Sequence, residues 1–358
     1  MVRGSPMGAD VDQSGKGAAG LRSGARDEAA AAAPPLSLKQ AFRPIVFAAD
    51  AAFAVPLATA LRSLAESNMQ AWPLDIHVIN EGMADDTKQH IFNSLPENSA
   101  TITWHSIDTF SFASQFSTRP GISRMTFARL LLPRFLPADC KSALYLDADI
   151  IVLDTLEPLW RLDLDGAIMA AVPDYCLDRL AAMNGSGLKT SLPVDRYFNA
   201  GMIFLDLEKW RSERVSERAL EYLDHFPRTE YGDQDALNFV CNGRWKELKQ
   251  CWNFQFDPSQ AIAPIMRGQN LRIVHFVTNV KPWRAGSLSP NVGFYDAYRS
   301  RTRFALTHRE RLFSAVKRIF SRLLVRSALL RCLKSWVTSI GEGRLLRPQR
   351  VNRGSEHG

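Results

Sequence analysis

Two aspartates separated by one residue interrupt an apolar run near the middle of the chain. Residues 144–153 read LYLDADIIVL, which places Asp147 and Asp149 inside a strand-like stretch. Because side chains alternate along a strand, we expect both carboxylates on the same side, about 7 Å apart. Two carboxylates so placed could hold a hard divalent cation that carries a diphosphate on its far side. A solvated strand end or a helix cap is the alternative, since so short a motif often occurs by chance.

Further polar residues lie near predicted strand ends, where open α/β sheets bind their ligands. His275 lies near the end of the stretch RIVHF, and an imidazole would complete a carboxylate site for Mn²⁺. Lys281 follows six residues later and could place a positive charge on a phosphate. The remaining candidates are Asp50 after the first strand, Asn199, Ala200 and Gly201 at the entry to a buried strand, and Asp233, Gln234 and Asp235 at the start of a helical pattern.

Each of these residues also has a purely structural explanation. Asp233 could be a helix N-cap, and Asn199 could belong to a turn. His275 could be a hydrogen-bonded core histidine, and Lys281 could be a solvated loop residue. The order of all these residues along one chain, more than any single residue, favours a site.

Strands and helices alternate along the chain from about residue 42. The periodicity of the apolar residues predicts strands at 45–49, 74–79, 101–105, 144–153, 167–172, 202–205 and 272–276, and helices at 55–67, 87–95 and 123–137. Such alternation is typical of βαβ units in an α/β fold with a mostly parallel sheet. We therefore expect one catalytic domain over residues 42–290.

The charge of the chain is unevenly distributed. Residues 301–358 carry fourteen Lys and Arg against three Glu, whereas the first 300 residues carry 30 basic and 34 acidic groups. From Arg311 to Ala328 the apolar and basic residues fall on opposite faces of a helix, a pattern typical of membrane-surface helices. We expect residues 301–336 to meet an anionic membrane surface, with packing of this helix on the core as the alternative. Nucleic acid is not an expected partner, because no aromatic platform accompanies the charge.

The ends of the chain and its cysteines complete the predicted organisation. Residues 1–41 have little apolar content and are expected to be a disordered leader, followed by the catalytic domain, a basic helical tail at 291–340 and a disordered C-terminus at 341–358. No run of eighteen apolar residues is present. The five widely spaced cysteines favour a reducing, cytoplasmic compartment.

Six motifs in uninterrupted order resemble those of the retaining glycosyltransferases of family eight, which include bacterial lipopolysaccharide galactosyl- and glucosyltransferases and the glycogenins. They are FAAD (47–50), TFARLLLP (126–133), LYLDADIIV (144–152), FNAG (198–201), DQDALN (233–238) and HF-x4-KPW (275–283). The resemblance implies a GT-A fold, a Rossmann-like nucleotide-diphospho-sugar transferase fold. It also implies transfer of galactose or glucose from UDP-hexose to a glycan acceptor.

The resemblance further implies a role for each candidate residue. Asp147, Asp149 and His275 match the ligands of Mn²⁺, for which Mg²⁺ is an alternative ion. Lys281 matches a diphosphate contact and Asp50 a uracil contact. Gln234 matches the residue beside the anomeric carbon, on the face opposite the leaving diphosphate. Donor-sugar positions are matched by Arg129, Asp174, Asn199 with its neighbour Ala200, and Asp233, and we group Asp233 and Asp235 with Gln234 as catalytic candidates.

Two questions about the reaction stay open at this point. Retention of configuration could proceed by double displacement, which needs a carboxylate nucleophile. The amide of Gln234 is a poor nucleophile, and Asp235 is turned away by about 100° on a helix, so we favour front-face attack by the acceptor hydroxyl. The acceptor we expect is a lipopolysaccharide or lipooligosaccharide core, lipid-linked or as a free oligosaccharide, at the inner face of the cytoplasmic membrane.

Three other functions are alternatives to hexosyl transfer. A catalytically inactive UDP-sugar- or glycan-binding relative would keep the fold, and Ala51 and Ala52 favour it because they replace the polar residues common after the first-strand aspartate. A nucleotidyltransferase should show a glycine-rich N-terminal phosphate loop, which this sequence lacks. A basic scaffold protein anchored by its tail would leave the predicted metal ligands unexplained.

Overall fold

A computed structural model describes residues 43–114, 116, 123–177, 180–183, 189–192, 194–255 and 270–341. The predicted disorder of residues 1–41 lies outside these ranges. So does the predicted disorder of the C-terminus, apart from Gly341, which ends a helix.

The described elements follow one another in α/β order. They are β1 (Ile45–Asp50), α1 (Ala54–Ser67), β2 (Leu74–Glu81), α2 (Asp85–Phe92), β3 (Ala100–Ser106), α3 (Thr109–Ala113), β4 (Ser142–Leu146), β5 (Ile150–Val152), α4 (Glu157–Trp160), β6 (Met169–Pro173), β7 (Leu180–Met183), β8 (Lys189–Leu192), β9 (Phe198–Asp206), α5 (Leu207–Ser212), α6 (Val215–His225), α7 (Asp233–Val240), β10 (Trp245–Glu247), β11 (Phe254–Gln255), β12 (Ile273–His275), α8 (Val292–Arg299) and α9 (His308–Gly341). Short 3₁₀ helices occupy Ala51–Phe53, Met69–Ala71, Arg124–Arg134 and Gln250–Trp252. Most predicted elements are present, with ends that differ by a few residues.

A seven-stranded sheet, in the order β10-β6-β9-β4-β1-β2-β3, forms the centre of the fold. Its neighbours run parallel except where β9 lies antiparallel to both β4 and β6. A second sheet joins β11, β12 and β5, and β7 pairs with β8 in a separate hairpin. The predicted α/β fold with a mixed, mostly parallel sheet flanked by helices is confirmed.

Apolar layers cover both faces of the large sheet at its centre, which explains why β1, β4, β6 and β9 are apolar at nearly every position. Along β1, Phe47 packs with Leu57 and Leu61 of α1, whereas Val46 packs into the cluster that contains Leu237 of α7. Successive side chains of one strand therefore enter opposite layers. In these four central strands the polar residues lie at or near the strand ends.

The aspartate pair does not lie on a continuous strand, so that part of the prediction was wrong. β4 ends at Leu146 in the large sheet and β5 begins at Ile150 in the small sheet. Asp147 and Asp149 occupy the turn between them. The apolar run continues through the turn because both strands are buried, and periodicity alone cannot reveal the change of sheet.

The arginine-bearing segment at 123–137 forms a 3₁₀ helix over Arg124–Arg134 instead of an ordinary α-helix, and Pro133 lies inside it. Ser123 caps it by accepting a hydrogen bond from the backbone N–H of Met125 at 3.2 Å. Seven of its eleven residues are buried, including Arg129. Tertiary packing on all sides thus holds a conformation that is uncommon at this length.

Within the described ranges, no helix is both long and apolar enough to cross a membrane. The last helix, α9, follows α8 and carries the predicted basic and apolar residues.

Candidate active site

A cleft of about 540 Å³ opens along the carboxyl ends of the central strands. Ten of the candidate residues line it: Asp50, Arg129, Asp147, Asp149, Asp174, Asn199, Asp233, Gln234, His275 and Lys281. Ala200 and Asp235 are buried behind this lining. Side chains from segments more than 200 residues apart in the sequence therefore meet in one place.

Three potential metal ligands converge at one end of the cleft. One oxygen each from Asp147 and Asp149 and a ring nitrogen of His275 all lie within 4.8 Å of one another. Nε2 of His275 is 3.2 Å from Oδ1 of Asp149 and 3.7 Å from Oδ2 of Asp147. Two carboxylates and one imidazole form a donor set that suits Mn²⁺ and related divalent ions.

The orientation of the His275 ring is fixed from behind by asparagines. Its Nδ1 lies 3.0 Å from Oδ1 of Asn253, whose own amide nitrogen donates to Oδ1 of Asn199 at 2.9 Å. Since Asn253 presents an oxygen, the Nδ1–H of His275 donates to it, and Nε2 is directed toward the aspartates. This arrangement is typical of a histidine ligand to a metal.

Gly201 on β9 leaves the space in which these ligands meet. A Cβ added there would lie 2.7 Å from Oδ2 of Asp147 and 2.8 Å from Nδ1 of His275, closer than real contacts allow. The Gly201 carbonyl also accepts a hydrogen bond from the backbone N–H of Asp147 at 2.8 Å. Glycine is required here by close packing.

Arg129 connects the metal-ligand residue Asp147 to Asp233 at the start of α7. Its guanidinium donates to Oδ1 of Asp147 at 2.9 Å and to the Ala200 carbonyl, and its Nε lies 2.7 Å from Oδ2 of Asp233. The Nε–H itself points to the Thr126 carbonyl, so the contact with Asp233 is an ion pair without a well-aligned hydrogen bond. Burial raises the pKa of Asp233 to about 6, although Arg129 and a hydrogen bond from Thr126 oppose that shift.

Lys281 makes the second ion pair of the site. Its Nζ donates to Oδ2 of Asp149 and to the Phe276 carbonyl, both at 2.6 Å. Burial disfavours the Asp149 carboxylate, but Lys281 and His275 together hold the pKa of Asp149 well below its usual range. The lysine is therefore already directed to the metal-ligand end of the cleft.

The amide of Gln234 is held in one orientation. Its oxygen accepts from the backbone N–H of Ala200 at 3.0 Å, and its nitrogen lies 3.3 Å from both Oδ2 of Asp174 and the Tyr197 hydroxyl. Asn199 donates to the same Asp174 oxygen at 3.1 Å. Asp174, Asn199 and Gln234 thus form one polar wall of the cleft.

Asp235 is held away from that wall. Its carboxylate accepts from the hydroxyls of Tyr197 and Thr229 and from the backbone N–H of Tyr231. Its side chain is 1% exposed, and burial raises its pKa. Asp235 therefore fixes the start of α7 and the loop before it.

Asp50, which also lines the cleft, bridges two segments. Its Oδ1 accepts from the backbone N–H of Phe53 at 3.2 Å and so caps the 3₁₀ turn that contains Ala51 and Ala52. Its Oδ2 accepts from the Ser123 hydroxyl at 2.6 Å.

Three residues that order this site were not predicted from the sequence. Thr126 donates to Oδ1 of Asp233 at 2.5 Å, and the Tyr145 hydroxyl donates to Oδ1 of Asp147 at 2.8 Å. Both lie inside the quoted motifs, so the motifs could have indicated them. Asn253 lies in a segment without a pattern, and only its contact with His275 reveals it.

Comparison with known proteins agrees with this geometry. Residues 44–286 match the family model described as glycosyl transferase family 8. General stress protein A of Bacillus subtilis is 27% identical over 73% of this chain and 94% of its own length. Lipopolysaccharide 1,2-glucosyltransferase of Escherichia coli is 26% identical over 70% of this chain and 75% of its own.

A solved structure of a glycosyltransferase is also similar to this chain. The galactosyltransferase LgtC, crystallised with donor and acceptor sugar analogues, aligns with a TM-score of 0.62 and 25% identity over 75% of this chain and 99% of its own. The chain spans 57%, 58% and 62% of the lengths of three other relatives. The family model covers well over half of the chain, and the chain therefore belongs to glycosyl transferase family 8.

Proposed function

We propose that this glycosyltransferase moves galactose or glucose from UDP-hexose to a glycan acceptor with retention of the donor configuration. The observation that carries the proposal is the meeting of Asp147, Asp149 and His275 beside Lys281 in a cleft at the strand ends. Three metal ligands next to a lysine form a site for a metal-bound diphosphate.

Each group of residues in the cleft has a task in this proposal. Asp147, Asp149 and His275 would hold Mn²⁺, with Mg²⁺ as the alternative ion, and the ion would supply positive charge to the departing diphosphate. Lys281 exchanges its contact with Asp149 for a contact with the same phosphates. Asp50 binds the uracil.

The donor sugar lies against the polar wall of the cleft. Asp174, Asn199, Asp233 and Arg129 bind its hydroxyl groups, and the packing that fixes them against one another reduces the entropy lost on binding. Ala200 supports the wall through its backbone, which binds Gln234 and Arg129.

Front-face attack is the mechanism that the hydrogen bonds favour. Asp235 has both carboxylate oxygens engaged behind Tyr197, and Asp233 is paired with Arg129. The residue turned to the sugar is Gln234, whose amide is a poor nucleophile. The acceptor hydroxyl therefore attacks on the side of the leaving diphosphate, which accepts its proton, and Gln234 lies on the opposite face.

For the acceptor we propose a lipopolysaccharide or lipooligosaccharide core. Support comes from the Escherichia coli relative, whose name specifies a lipopolysaccharide glucosyltransferase, and from LgtC, which binds an acceptor sugar analogue.

The test is release of UDP from a panel of UDP-hexoses, with Mn²⁺ and with chelator, in the absence of acceptor. We expect slow, Mn²⁺-dependent hydrolysis of one sugar nucleotide, which would also identify the donor. If no UDP is released without acceptor, we expect UDP release once core oligosaccharide is added. If turnover stays absent while UDP still binds, the protein is a sugar-nucleotide-binding relative and the proposal is wrong.

We further propose that the protein acts at the inner face of the cytoplasmic membrane and is held there by α9. Seven apolar side chains of this helix are 51–62% exposed: Leu312, Phe313, Val316, Ile319, Phe320, Leu323 and Leu324. Arg309, Arg311, Lys317 and Arg322 are exposed on the same helix. Apolar residues flanked by arginine and lysine fit an anionic lipid surface.

Vesicle sedimentation tests this attachment. The full chain should bind vesicles that contain anionic lipid and bind neutral vesicles weakly, because both the charge and the apolar face contribute. Replacing Phe313 and Phe320 by Ser should release it, whereas Phe92→Ser, at an exposed phenylalanine on α2, should not. Equal binding of the two variants would contradict the proposal.

A further inference from the structure

One edge of α9 packs against the loop that carries Lys281. Ser314 is 8% exposed, although its neighbours from residue 311 to residue 317 are all exposed. Its hydroxyl accepts a hydrogen bond from the backbone N–H of Gly286 at 3.1 Å. The loop over residues 281–289 is therefore bound directly to the helix.

The packing at this contact leaves no room for a side chain at position 286 unless Lys317 moves. Gly286 has a φ of +74°, and a Cβ added there would lie 2.5 Å from Cγ of Lys317. One turn beyond Ser314, Arg318 of α9 pairs with Asp296 of α8 at 3.2 Å. The helix is thus held by one contact with the loop and one with α8.

Four residues, 282–285, connect Gly286 to Lys281 of the active site. The backbone N–H of Arg284 donates to the Lys281 carbonyl at 3.3 Å, and that of Ser287 donates to the Arg284 carbonyl at 3.0 Å. These two turns shorten the segment and limit its freedom. A displacement of Gly286 will therefore move the backbone of Lys281.

Aromatic packing holds the other side of the same loop. The ring of Trp283 is 5.8 Å from that of Tyr295 and 5.5 Å from that of Phe53, which lines the cleft. The loop thus has one support at the cleft and a second support on α9.

We propose that Ser314 is a positioning residue for diphosphate binding: α9 holds the 281–289 loop so that Lys281 is directed to the phosphates of the donor. A lysine side chain has four rotatable bonds, so the position of its backbone limits which atoms its Nζ can reach. The inference rests on the proposed function through the role of Lys281. It goes further by giving the C-terminal helix a part in donor affinity.

The first measurement compares Ser314→Ala with Ser327→Ala in the full chain. Ser327 lies on the same helix, and its hydroxyl donates to the Leu324 carbonyl of that helix. In the presence of Mn²⁺, we expect Ser314→Ala to raise the Kd for UDP about three- to tenfold, the effect of one lost hydrogen bond. The Kd for uridine, which has no phosphate, should stay the same in both variants.

A double-mutant cycle separates positioning from a general loss of stability. If Ser314 acts through Lys281, Ser314→Ala should have no further effect on the Kd for UDP in a Lys281→Ala background. The inference is overturned if the two serine variants bind UDP equally, if uridine binding falls in parallel, or if the effects of Ser314 and Lys281 add. If the unmodified protein binds no UDP, the proposed function fails first and this inference fails with it.

Discussion

At the scale of single residues, the site consists of charges that are balanced in pairs. Arg129 contacts Asp147 and Asp233, and Lys281 contacts Asp149. Because buried carboxylates without partners are costly, these pairs let several acids share one cleft. The balance is incomplete at Asp233, whose pKa stays raised despite its arginine.

The raised pKa of Asp233 predicts how stability depends on pH. The folded value is about 6 and the ordinary value is 3.8, so between these values the folded protein holds a proton that the unfolded chain lacks. The resulting stabilisation is present below about pH 4 and is lost as the pH rises through about 6. It amounts to about 3 kcal/mol, at 1.36 kcal/mol for each pKa unit.

Urea unfolding of the metal-free protein at several pH values checks this prediction. The difference in unfolding free energy between the unmodified protein and Asp233→Asn should shrink or reverse in sign as the pH rises from 4 to 7. Other acids titrate in both proteins and cancel in that difference. A difference that is constant with pH would show that Asp233 has an ordinary pKa.

At the scale of elements, the site depends on where one sheet gives way to another. β4 pairs with β9 and β5 pairs with β12, so the turn at residues 147–149 lies between them and His275 lies beside it. The sequence order predicted the strands and the convergence of their ends. It could not predict that the apolar run 144–153 is divided between two sheets, because both parts are buried alike.

Other features of the site depended on tertiary contacts and could not be predicted from patterns. Asn253 orients His275 from a segment without periodicity, and the 3₁₀ helix at Arg124–Arg134 is maintained by packing. The separation of Gln234 from Asp235 followed from helix geometry, but the hydroxyls that enclose Asp235 did not. The residues that contact a ligand were thus easier to predict than those that hold them in place.

Gly201 on β9 provides a test at this scale. Gly201→Ala forces a methyl group between Asp147 and His275, so we expect Mn²⁺-dependent UDP binding to be lost and stability to fall by about 1–3 kcal/mol. Gly293→Ala is the matched control, since an added Cβ meets nothing within 4 Å on α8. Calorimetry and urea unfolding give both quantities. Normal UDP binding by Gly201→Ala would mean that the three ligands do not act together.

At the scale of the whole molecule, α9 serves two surfaces. Its apolar side chains face outward, and its Ser314 edge supports the Lys281 loop. If lipid holds α9 in place and α9 holds the loop, membrane binding and donor binding must be linked. Such linkage is reciprocal, since each ligand changes the affinity of the other by the same factor.

Titration of UDP with and without anionic vesicles measures that linkage. In the presence of Mn²⁺ we expect anionic vesicles to lower the Kd for UDP by a factor on the order of five. The Phe313→Ser, Phe320→Ser double variant should keep its UDP affinity in solution and lose the effect of vesicles. An unchanged Kd for UDP with saturating vesicles would show that membrane binding and donor binding are not linked through α9.

The metal site is tested most directly by a calorimetric titration of UDP into the metal-free protein, with Mn²⁺ added or with chelator. We expect UDP to bind tightly only with Mn²⁺, and we expect Asp149→Asn to remove this dependence. Asp154→Asn should behave as the unmodified protein, because Asp154 pairs with Arg272 at 3.0 Å on the loop after β5. UDP binding that ignores the chelator, or that survives in Asp149→Asn, would contradict the assignment of Asp147, Asp149 and His275 as a metal site.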